Sequence, residues 1–235
     1  MSVGEPEPSV ASHSGAWSEP TRSVVEGELP AGSWRVYEPL QLPPVLHHSL
    51  EAFAEHGYHG TSVREIARRL GQTVPAIYYH YENKQALLVT LLQGSMQELL
   101  QRCELAVAEA GDDPVDQLSA LGTCVLLYVG HRRQLVLLDG EIGGLEPDNR
   151  RAYRQRRREL EALVQRTVET GIATGRLSTS HPQDAARAVL TLCLGTAGWY
   201  DPKRARLNPE ELAERYVPFA RRVVGAVSEV PDPAR

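Results

Sequence analysis

Ala76, Tyr79 and His80 lie on the outward face of a short predicted helix, and their side chains are suited to reading the major groove of DNA. A small apolar group can touch a thymine methyl, while hydroxyl and backbone groups can bind phosphate. The preceding predicted helix directs three guanidinium groups toward solvent or phosphate: Arg64, Arg68 and Arg69. This chemistry is that of a binding surface.

Two short helices joined by a four-residue turn would position these side chains. Ser62 and Glu65 form a capping-box pair at the start of the first helix, because each side chain can bond to the backbone N–H of the other. Gly71 ends it at a position that tolerates positive φ. The helix has one apolar stripe at the spacing i, i+3, i+4 and i+7. The stripe consists of Val63, Ile66, Ala67 and Leu70.

The second helix begins at Thr73, a suitable cap, with Pro75 in its first turn. Its stripe repeats the same spacing with Val74, Ile77, Tyr78 and Tyr81. It is short, since Asn83 can cap a third helix. The layout is typical of a helix-turn-helix. Any two-helix corner of an α-protein can show such caps and stripes, however, and the pattern alone leaves both interpretations open.

The segment from Val45 to Thr90 resembles the DNA-binding domain of TetR-family transcriptional repressors. The resemblance is carried by the runs FAEHGYHGTSVREIA and LGQTVPAIYYHYENKQALL. It implies a dimeric protein that binds a double-stranded DNA operator and responds to a small-molecule effector. Two features depart from the family pattern. Gln72 stands where Val is usual, and Pro43-Pro44 indicates that the first helix starts at Pro44 and is short.

The resemblance also implies roles for individual residues. Arg64 would enter the groove and is the candidate for a guanine contact. The residues that would face bases from the recognition helix are Val74, Pro75 and Ala76. The residues that would contact or hold backbone phosphates are Thr61, Ser62, Tyr78, Tyr79, His80 and Lys84.

Composition indicates a cytoplasmic protein with a packed core. The chain has 235 residues, 42% of them hydrophobic, and a net charge of −5. Residues 41–90 carry four basic and four acidic side chains, so a DNA-binding face must be locally positive. There is no apolar run of membrane-spanning length and no secretory signal pattern. The three dispersed cysteines indicate a reducing compartment, with either buried packing or redox-sensing roles.

No segment shows the alternation of a strand, so the predicted fold class is all-α. An N-terminal helix-turn-helix three-helix domain would precede a C-terminal helical ligand-binding and dimerisation domain. Residues 1–38 are rich in Pro, Gly, Ser and Glu, and predict a flexible arm that is inert, folds back or touches DNA. Residues 39–86 would form the DNA-binding domain, and residues 87–230 would form the ligand-binding and dimerisation domain.

The helices expected after the turn are Asn83–Ala110, Val115–Val129, Arg132–Asp139, Asp148–Thr174, Pro182–Tyr200 and Pro209–Val227. Pro218 is expected to kink the last of them. The resemblance implies that the last two helices pack against their mates in a second subunit, whereas their apolar stripes fit an intramolecular core equally well.

Two features of the sequence indicate the class of the effector. Six arginines crowd Arg150–Arg158, which fits either a solvated helix or an anion site such as one for coenzyme A phosphates. The run GTAGWYDPKRARLNPEELAERY is similar to the tail of TetR-family regulators that respond to acyl-CoA thioesters. It implies an acyl-CoA effector. A TetR-like regulator of efflux or metabolism that senses a non-CoA hydrophobic molecule is the alternative.

The expected pocket lining consists of Leu121, Cys124, Tyr128, Tyr153 and Trp199. No glycine-rich phosphate loop, paired carboxylates, nucleophile or metal cluster stands out. We therefore expect neither an enzyme nor a cofactor or metal site.

Overall fold

Helices make up the fold, and the structure, a computed structural model, describes residues 29–226 and contains no strand in that range. The α-helices are α1 Pro44–Gly60, α2 Val63–Leu70, α3 Val74–Tyr78, α4 Lys84–Glu109, α5 Pro114–Leu137, α6 Pro147–Ala173, α7 Pro182–Gly195 and α8 Pro209–Val223. Short 3-10 turns occur at Ser33–Arg35, Leu138–Gly144 and Thr196–Gly198. The predicted all-α class is confirmed.

The Ser62 and Thr73 side chains cap their helices as predicted, but the capping box at Ser62 is only half formed, because the Glu65 carboxylate binds Arg68 and Arg69. Ser62 accepts the backbone N–H of Glu65 at 3.2 Å, and Thr73 accepts that of Ala76 at 3.4 Å. Gly71 ends α2 with a φ of 67°, a conformation that favours glycine. The first helix begins at Pro44 as predicted, but it is not short, since α1 has 17 residues and is interrupted near its end at Gly57.

The later helices differ from the predictions mainly at their ends. The two helices expected between Val115 and Asp139 are one helix, α5, with non-helical backbone angles at Arg132. The loop expected after Asp139 is part of a 3-10 turn, and α7 ends at Gly195 rather than Tyr200. Helix α8 continues through Pro218. The predicted end at residue 227 lies outside the described residues.

Three charged side chains are buried together between α4 and α5. The Glu98 carboxylate accepts hydrogen bonds from Arg102 Nε at 3.0 Å and from Arg132 Nε at 3.3 Å, and Arg102 Nη2 lies 2.9 Å from the same carboxylate. The exposed fractions of these side chains are 2%, 4% and 8%. Two guanidinium groups thus share one carboxylate, which leaves an excess of positive charge in a poorly solvated place.

The docked segment, residues 33–38, supplies the remaining acceptors. Arg102 Nη1 donates at 3.0 to 3.2 Å to three backbone carbonyls, those of Ser33, Trp34 and Val36. Arg132 Nη1 donates to the carbonyl of Glu38 at 3.1 Å. Residues 33–38 are therefore held against α4 and α5, which agrees with the alternative that the arm folds back on the protein. Residues 1–28 lie outside the described residues.

Aromatic rings complete the docking of this segment. Trp34 is fully buried and its Nε1 donates to Glu109 at 2.9 Å. The Tyr37 ring stacks on His131 with centroids 4.4 Å apart, and the Arg102 guanidinium lies 3.8 Å from its centre. The buried Tyr37 hydroxyl has no hydrogen-bond partner within residues 29–226, and burial raises its pKa, so it stays protonated.

The substitution Glu98→Ala should lower the free energy of unfolding by about 3–5 kcal/mol, because it leaves two buried guanidinium groups without their carboxylate. Urea denaturation measures this loss. The matched control is Glu104→Ala, an exposed carboxylate on the same helix, which should change stability by about 0.5 kcal/mol or less. Equal stabilities of the two variants would contradict the structural role of Glu98.

Candidate DNA-binding surface and ligand cavity

A depression of about 450 Å³ lies between three elements: the start of α2, helix α3 and the start of α4. It gathers six of the ten predicted DNA-contact residues. Its lining consists of Thr61, Ser62, Val63, Arg64, Val74, Tyr78 and Lys84. The caps of α2 and α3 and the turn at Gly71 set this arrangement, since they fix the angle between the two helices.

The three arginines of α2 differ in their partners. Arg68 donates to Glu65 at 2.8 and 2.9 Å, and Arg69 donates to Glu65 at 2.8 Å and to Glu55 at 2.7 Å. The hydrogen bonds from Arg68 and Arg69 lower the pKa of Glu65 to about 2. Arg64 is exposed and forms no ion pair with any residue in the described part of the chain. Its guanidinium is therefore available to an external anion or base.

Thr61 and Lys84 are bonded within the domain. The Thr61 side chain is 2% exposed, and its hydroxyl donates to the carbonyls of Ala52 and Gly57 at 3.0 and 2.8 Å. Thr61 thus has no free hydroxyl proton for a phosphate, which corrects the contact expected of it. Lys84 Nζ donates to the carbonyls of Tyr58 and Thr61 at 2.6 and 2.7 Å, and burial lowers its pKa. One of its three protons remains for an external acceptor.

The other predicted contacts lie on α3 and just after it, because α3 ends at Tyr78, and Tyr79 and His80 belong to the turn that follows rather than to the helix expected of them. Ala76, Tyr79 and His80 line a second depression, of about 760 Å³, between this helix and the start of α1. Pro75 is exposed in the first turn of α3 and lines neither depression. Tyr79 is 85% exposed and its ring contacts that of His80 at 4.9 Å. Tyr78 beside it is 48% exposed, so the end of α3 presents two adjacent aromatic side chains to solvent.

A separate cavity of about 690 Å³ lies among α4, α5, α6 and α7. Its inner wall is apolar and buried, and includes Leu99, Tyr128, Leu135, Leu160 and Leu190. Its solvent-facing side carries four exposed arginines: Arg154, Arg157, Arg158 and Arg187. One site therefore combines an apolar interior with a cationic rim.

The cationic rim is only partly neutralised. Arg157 pairs with Asp139 at 2.9 Å, and Arg187 pairs with Glu161 at 2.9 Å and with Asp184 at 3.2 Å. Arg158 donates to an amide oxygen, and Arg154 forms no ion pair with any residue between 29 and 226. Four arginines face three carboxylates, those of Asp139, Glu161 and Asp184, so the rim keeps an excess of one positive charge. Such a rim favours an anionic ligand.

Two of the five predicted pocket residues, Tyr128 and Tyr153, line this cavity. The Tyr128 hydroxyl donates to the Ser95 carbonyl at 2.9 Å, and that of Tyr153 donates to Asp139 at 2.9 Å. Burial raises the pKa of both tyrosines, so both remain neutral hydroxyl groups at physiological pH.

The other three predicted residues lie elsewhere. Leu121 and Cys124 are buried in the core nearer the start of α5, where Cys124 Sγ lies 3.7 Å from Cys103 Sγ. The cavity begins one turn later, at Tyr128. Trp199 follows the turn after α7 and is 57% exposed, with its ring against that of Tyr216. These three pocket predictions are wrong for this cavity.

Sequence reasoning noted the arginines of α6 but missed Arg187 and the apolar wall. A signal was present in the spacing. Tyr153, Arg157 and Leu160 fall at i, i+4 and i+7, which places an arginine within an otherwise apolar helix face. On α7, Arg187, Leu190 and Leu194 fall at i, i+3 and i+7, which also places an arginine on an apolar helix face.

Among residues 29–226, no group of three or more His, Cys, Asp or Glu side chains could hold a metal ion. No helix in the same range is both long and apolar enough to cross a membrane. All three cysteines are buried, and burial raises the pKa of Cys193 to about 12, so its thiol is not poised for reaction.

Comparison with known proteins identifies the family. Residues 45–91 match the model described as bacterial regulatory proteins of the tetR family, and residues 111–224 match that of the tetracyclin repressor-like C-terminal domain. A solved TetR/AcrR-family regulator from Thermobifida fusca YX-ER1 is 31% identical, with a TM-score of 0.59 over 75% of this chain and 93% of that one. The chain belongs to the TetR family. This confirms the resemblance found in the sequence.

More distant TetR-family proteins share the fold. The transcriptional repressor KstR2 of Mycobacterium tuberculosis H37Rv is 23% identical over 180 residues, which cover 75% of this chain and 88% of KstR2. AibR, solved in complex with isovaleryl coenzyme A and operator DNA, is 22% identical with a TM-score of 0.67, over 78% of this chain and 97% of AibR. The first curated TetR-family relatives are matched over only about a third of their length or less.

The substitution Lys84→Met should lower the free energy of unfolding of this TetR-family protein by about 1–3 kcal/mol, because two buried carbonyls lose a charged donor. Urea denaturation provides the measurement. Lys203→Met, at an exposed position, is the control and should change stability by about 0.5 kcal/mol or less. An unchanged stability of Lys84→Met would show that the two carbonyl bonds contribute nothing.

Proposed function

We propose that this TetR-family protein is a dimeric transcriptional repressor that binds a palindromic operator and releases it when an anionic amphiphile enters the cavity. An acyl-CoA thioester is the ligand class that fits best. The observation that carries this proposal is the joining of a buried apolar wall to a rim of four arginines in one cavity.

The chemistry of such a ligand matches the two parts of the site. An acyl chain would lie along Leu99, Leu135 and Leu160, where its burial is favoured by the hydrophobic effect. Phosphate groups would accept hydrogen bonds from Arg154 and its neighbours, because guanidinium groups bind phosphate in a bidentate manner. AibR, a protein of the same fold, was solved with isovaleryl coenzyme A and operator DNA, which supports this class of ligand.

The DNA contacts are proposed for the surface of α2 and α3. Arg64 would reach a base edge in the major groove, with Val74, Pro75 and Ala76 facing bases beside it. The phosphates would be held by Ser62, Tyr78, Tyr79, His80 and Lys84. We propose residues 39–86 as the DNA-binding domain and residues 87–230 as the sensor and dimerisation domain. Helix α4 crosses this boundary without a break.

A second subunit is proposed to cover α8 and the turn before it. The Trp199 and Tyr216 rings lie 5.6 Å apart, and those of Tyr216 and Phe219 lie 5.7 Å apart. Trp199 and Phe219 are 57% and 47% exposed, and Val223 is 38% exposed. An exposed apolar patch of this kind is typical of a protein interface. A dimer also supplies the two recognition helices that a palindromic operator needs.

The proposed switch acts through the spacing of the two recognition helices. A helix-turn-helix dimer binds half-sites separated by one turn of DNA, about 34–36 Å. A ligand between α4, α5 and α6 would tilt α4, which continues directly into the DNA-binding domain. The ligand shifts the equilibrium only by its difference in affinity for the two states.

The proposal is tested by binding the purified protein to DNA from just upstream of its own gene, with and without a long-chain acyl-CoA. Isovaleryl coenzyme A and free coenzyme A serve as comparisons. Tight, salt-sensitive binding that the thioester releases is the expected result. Binding that no thioester affects would reject the ligand class, and a non-CoA hydrophobic effector would then be the alternative. If the protein does not bind this DNA, the operator does not lie just upstream of its own gene.

Arg154→Ala should weaken binding of the long-chain acyl-CoA by about tenfold or more, because an unpaired guanidinium of the rim is lost. Isothermal titration calorimetry measures the dissociation constant. Arg151→Ala is the control, since Arg151 belongs to the same helix but pairs with Asp148 and does not line the cavity. Equal affinities of the two variants for the acyl-CoA would show that Arg154 does not contribute to its binding.

Arg64→Ala should weaken operator binding by about 1–3 kcal/mol, the cost of one base contact. A fluorescence anisotropy titration at fixed salt measures this change. The control is Arg68→Ala on the same helix, because the Arg68 guanidinium is already bonded to Glu65, and operator affinity should change by about twofold or less. An unaltered affinity of Arg64→Ala would show that Arg64 does not contact the operator.

A further inference from the structure

We infer that the docked segment, residues 33–38, couples the ligand cavity to the DNA-binding domain. The inference deepens the proposed function and rests on it. The segment contacts a residue of the cavity wall at one point and continues into α1 at its end, so it connects the two domains in addition to α4.

The contact with the cavity is made by Tyr37. Its ring lies 6.4 Å from that of Tyr128, in an edge-to-face arrangement at 61°. Tyr128 is fully buried and lines the cavity. Any ligand that displaces the Tyr128 ring must therefore change its packing against Tyr37.

The second contact is made through Arg132, which holds the carbonyl of Glu38. Arg132 lies on α5 between Tyr128 and Leu135, both of which line the cavity. The backbone of α5 departs from helical geometry at this residue, with a φ of −126° and a ψ of 24°. A ligand that moves either part of this wall would move the guanidinium that fixes the segment.

The connection from the segment to the DNA-binding domain is short, and its residues are partly packed against the core. Residues 39–43 separate Glu38 from the first residue of α1. Leu40 and Leu42 are partly buried against the core, and Pro43 has a fixed φ next to Pro44. A displacement of Glu38 is therefore passed to the start of α1.

The end of α1 is held from the other side. Lys84, at the start of α4, bonds to the carbonyls of Tyr58 and Thr61 at the end of α1. The segment controls one end of α1 and α4 controls the other. Two attachments at opposite ends convert a small shift at the cavity into a rotation of the DNA-binding domain, which changes the spacing of the recognition helices.

The test compares full-length wild-type protein with Tyr37→Ala, Tyr37→Phe and Val36→Ala. Operator dissociation constants are measured with and without a saturating long-chain acyl-CoA, and dissociation constants of the acyl-CoA are measured with and without operator. In the wild type the two ratios should agree and be about tenfold or more. Tyr37→Ala should reduce the ratio to about threefold or less, with each single-ligand affinity nearly unchanged.

Two controls separate coupling from folding. Tyr37→Phe keeps the ring and removes a hydroxyl without a partner among the described residues, and Val36→Ala changes a side chain that is 61% exposed, so both should keep the wild-type ratio. Tyr37→Leu, which keeps buried apolar volume, replaces Tyr37→Ala if that variant unfolds.

A wild-type ratio retained by Tyr37→Ala or, in its place, Tyr37→Leu overturns the inference and leaves the proposed function intact. If the acyl-CoA does not affect operator binding by the wild-type protein, this result overturns both the proposed function and the inference.

Discussion

A single buried carboxylate, that of Glu98, determines how the parts of this protein are joined. It binds the guanidinium groups of Arg102 and Arg132 between α4 and α5, and the uncompensated positive charge is met by backbone carbonyls of residues 33–38. Charges are stable in such a place only when their hydrogen-bonding capacity is filled. The charge cluster and the docked segment therefore require each other, and the sensor core includes a segment that precedes the DNA-binding domain in sequence.

The DNA-binding domain has further direct contacts with the sensor. Gly144 lies against Tyr58, where a Cβ would be 2.6 Å from the ring, so the 3-10 turn before α6 approaches α1 closely. The side chain of Gln85, on α4, accepts the backbone N–H of Glu146. The turn that leads to the arginine-bearing helix thus touches both α1 and α4. The ligand cavity and the DNA-binding surface are connected by packed, hydrogen-bonded structure rather than by a flexible linker.

The features that sequence reasoning anticipated are local ones. Ser62, Gly71 and Asn83 fix helix ends through neighbours within four residues, so their roles can be read from spacing. Folding back of the arm is one of three alternatives that the sequence leaves open, but its partners could not be anticipated, because Tyr37 and Trp34 contact His131 and Glu109, far along the chain. The same limit applies to the cavity. Tyr128 and Cys124 are one helical turn apart in the same stripe, and only tertiary packing decides which of them lines empty space.

The recognition helix α3 contains only five residues, from Val74 to Tyr78. A helix of this length has no stability of its own in water, because nucleation costs more than one or two hydrogen bonds return. Its order comes from the buried Ile77 and from the Thr73 cap, and so from the neighbouring helices. Loosening those neighbours would raise the conformational entropy of α3 in the free protein, and DNA would then have to offset that disorder on binding. The conformational freedom of α3 in the free protein is therefore set by how tightly its neighbouring helices are packed.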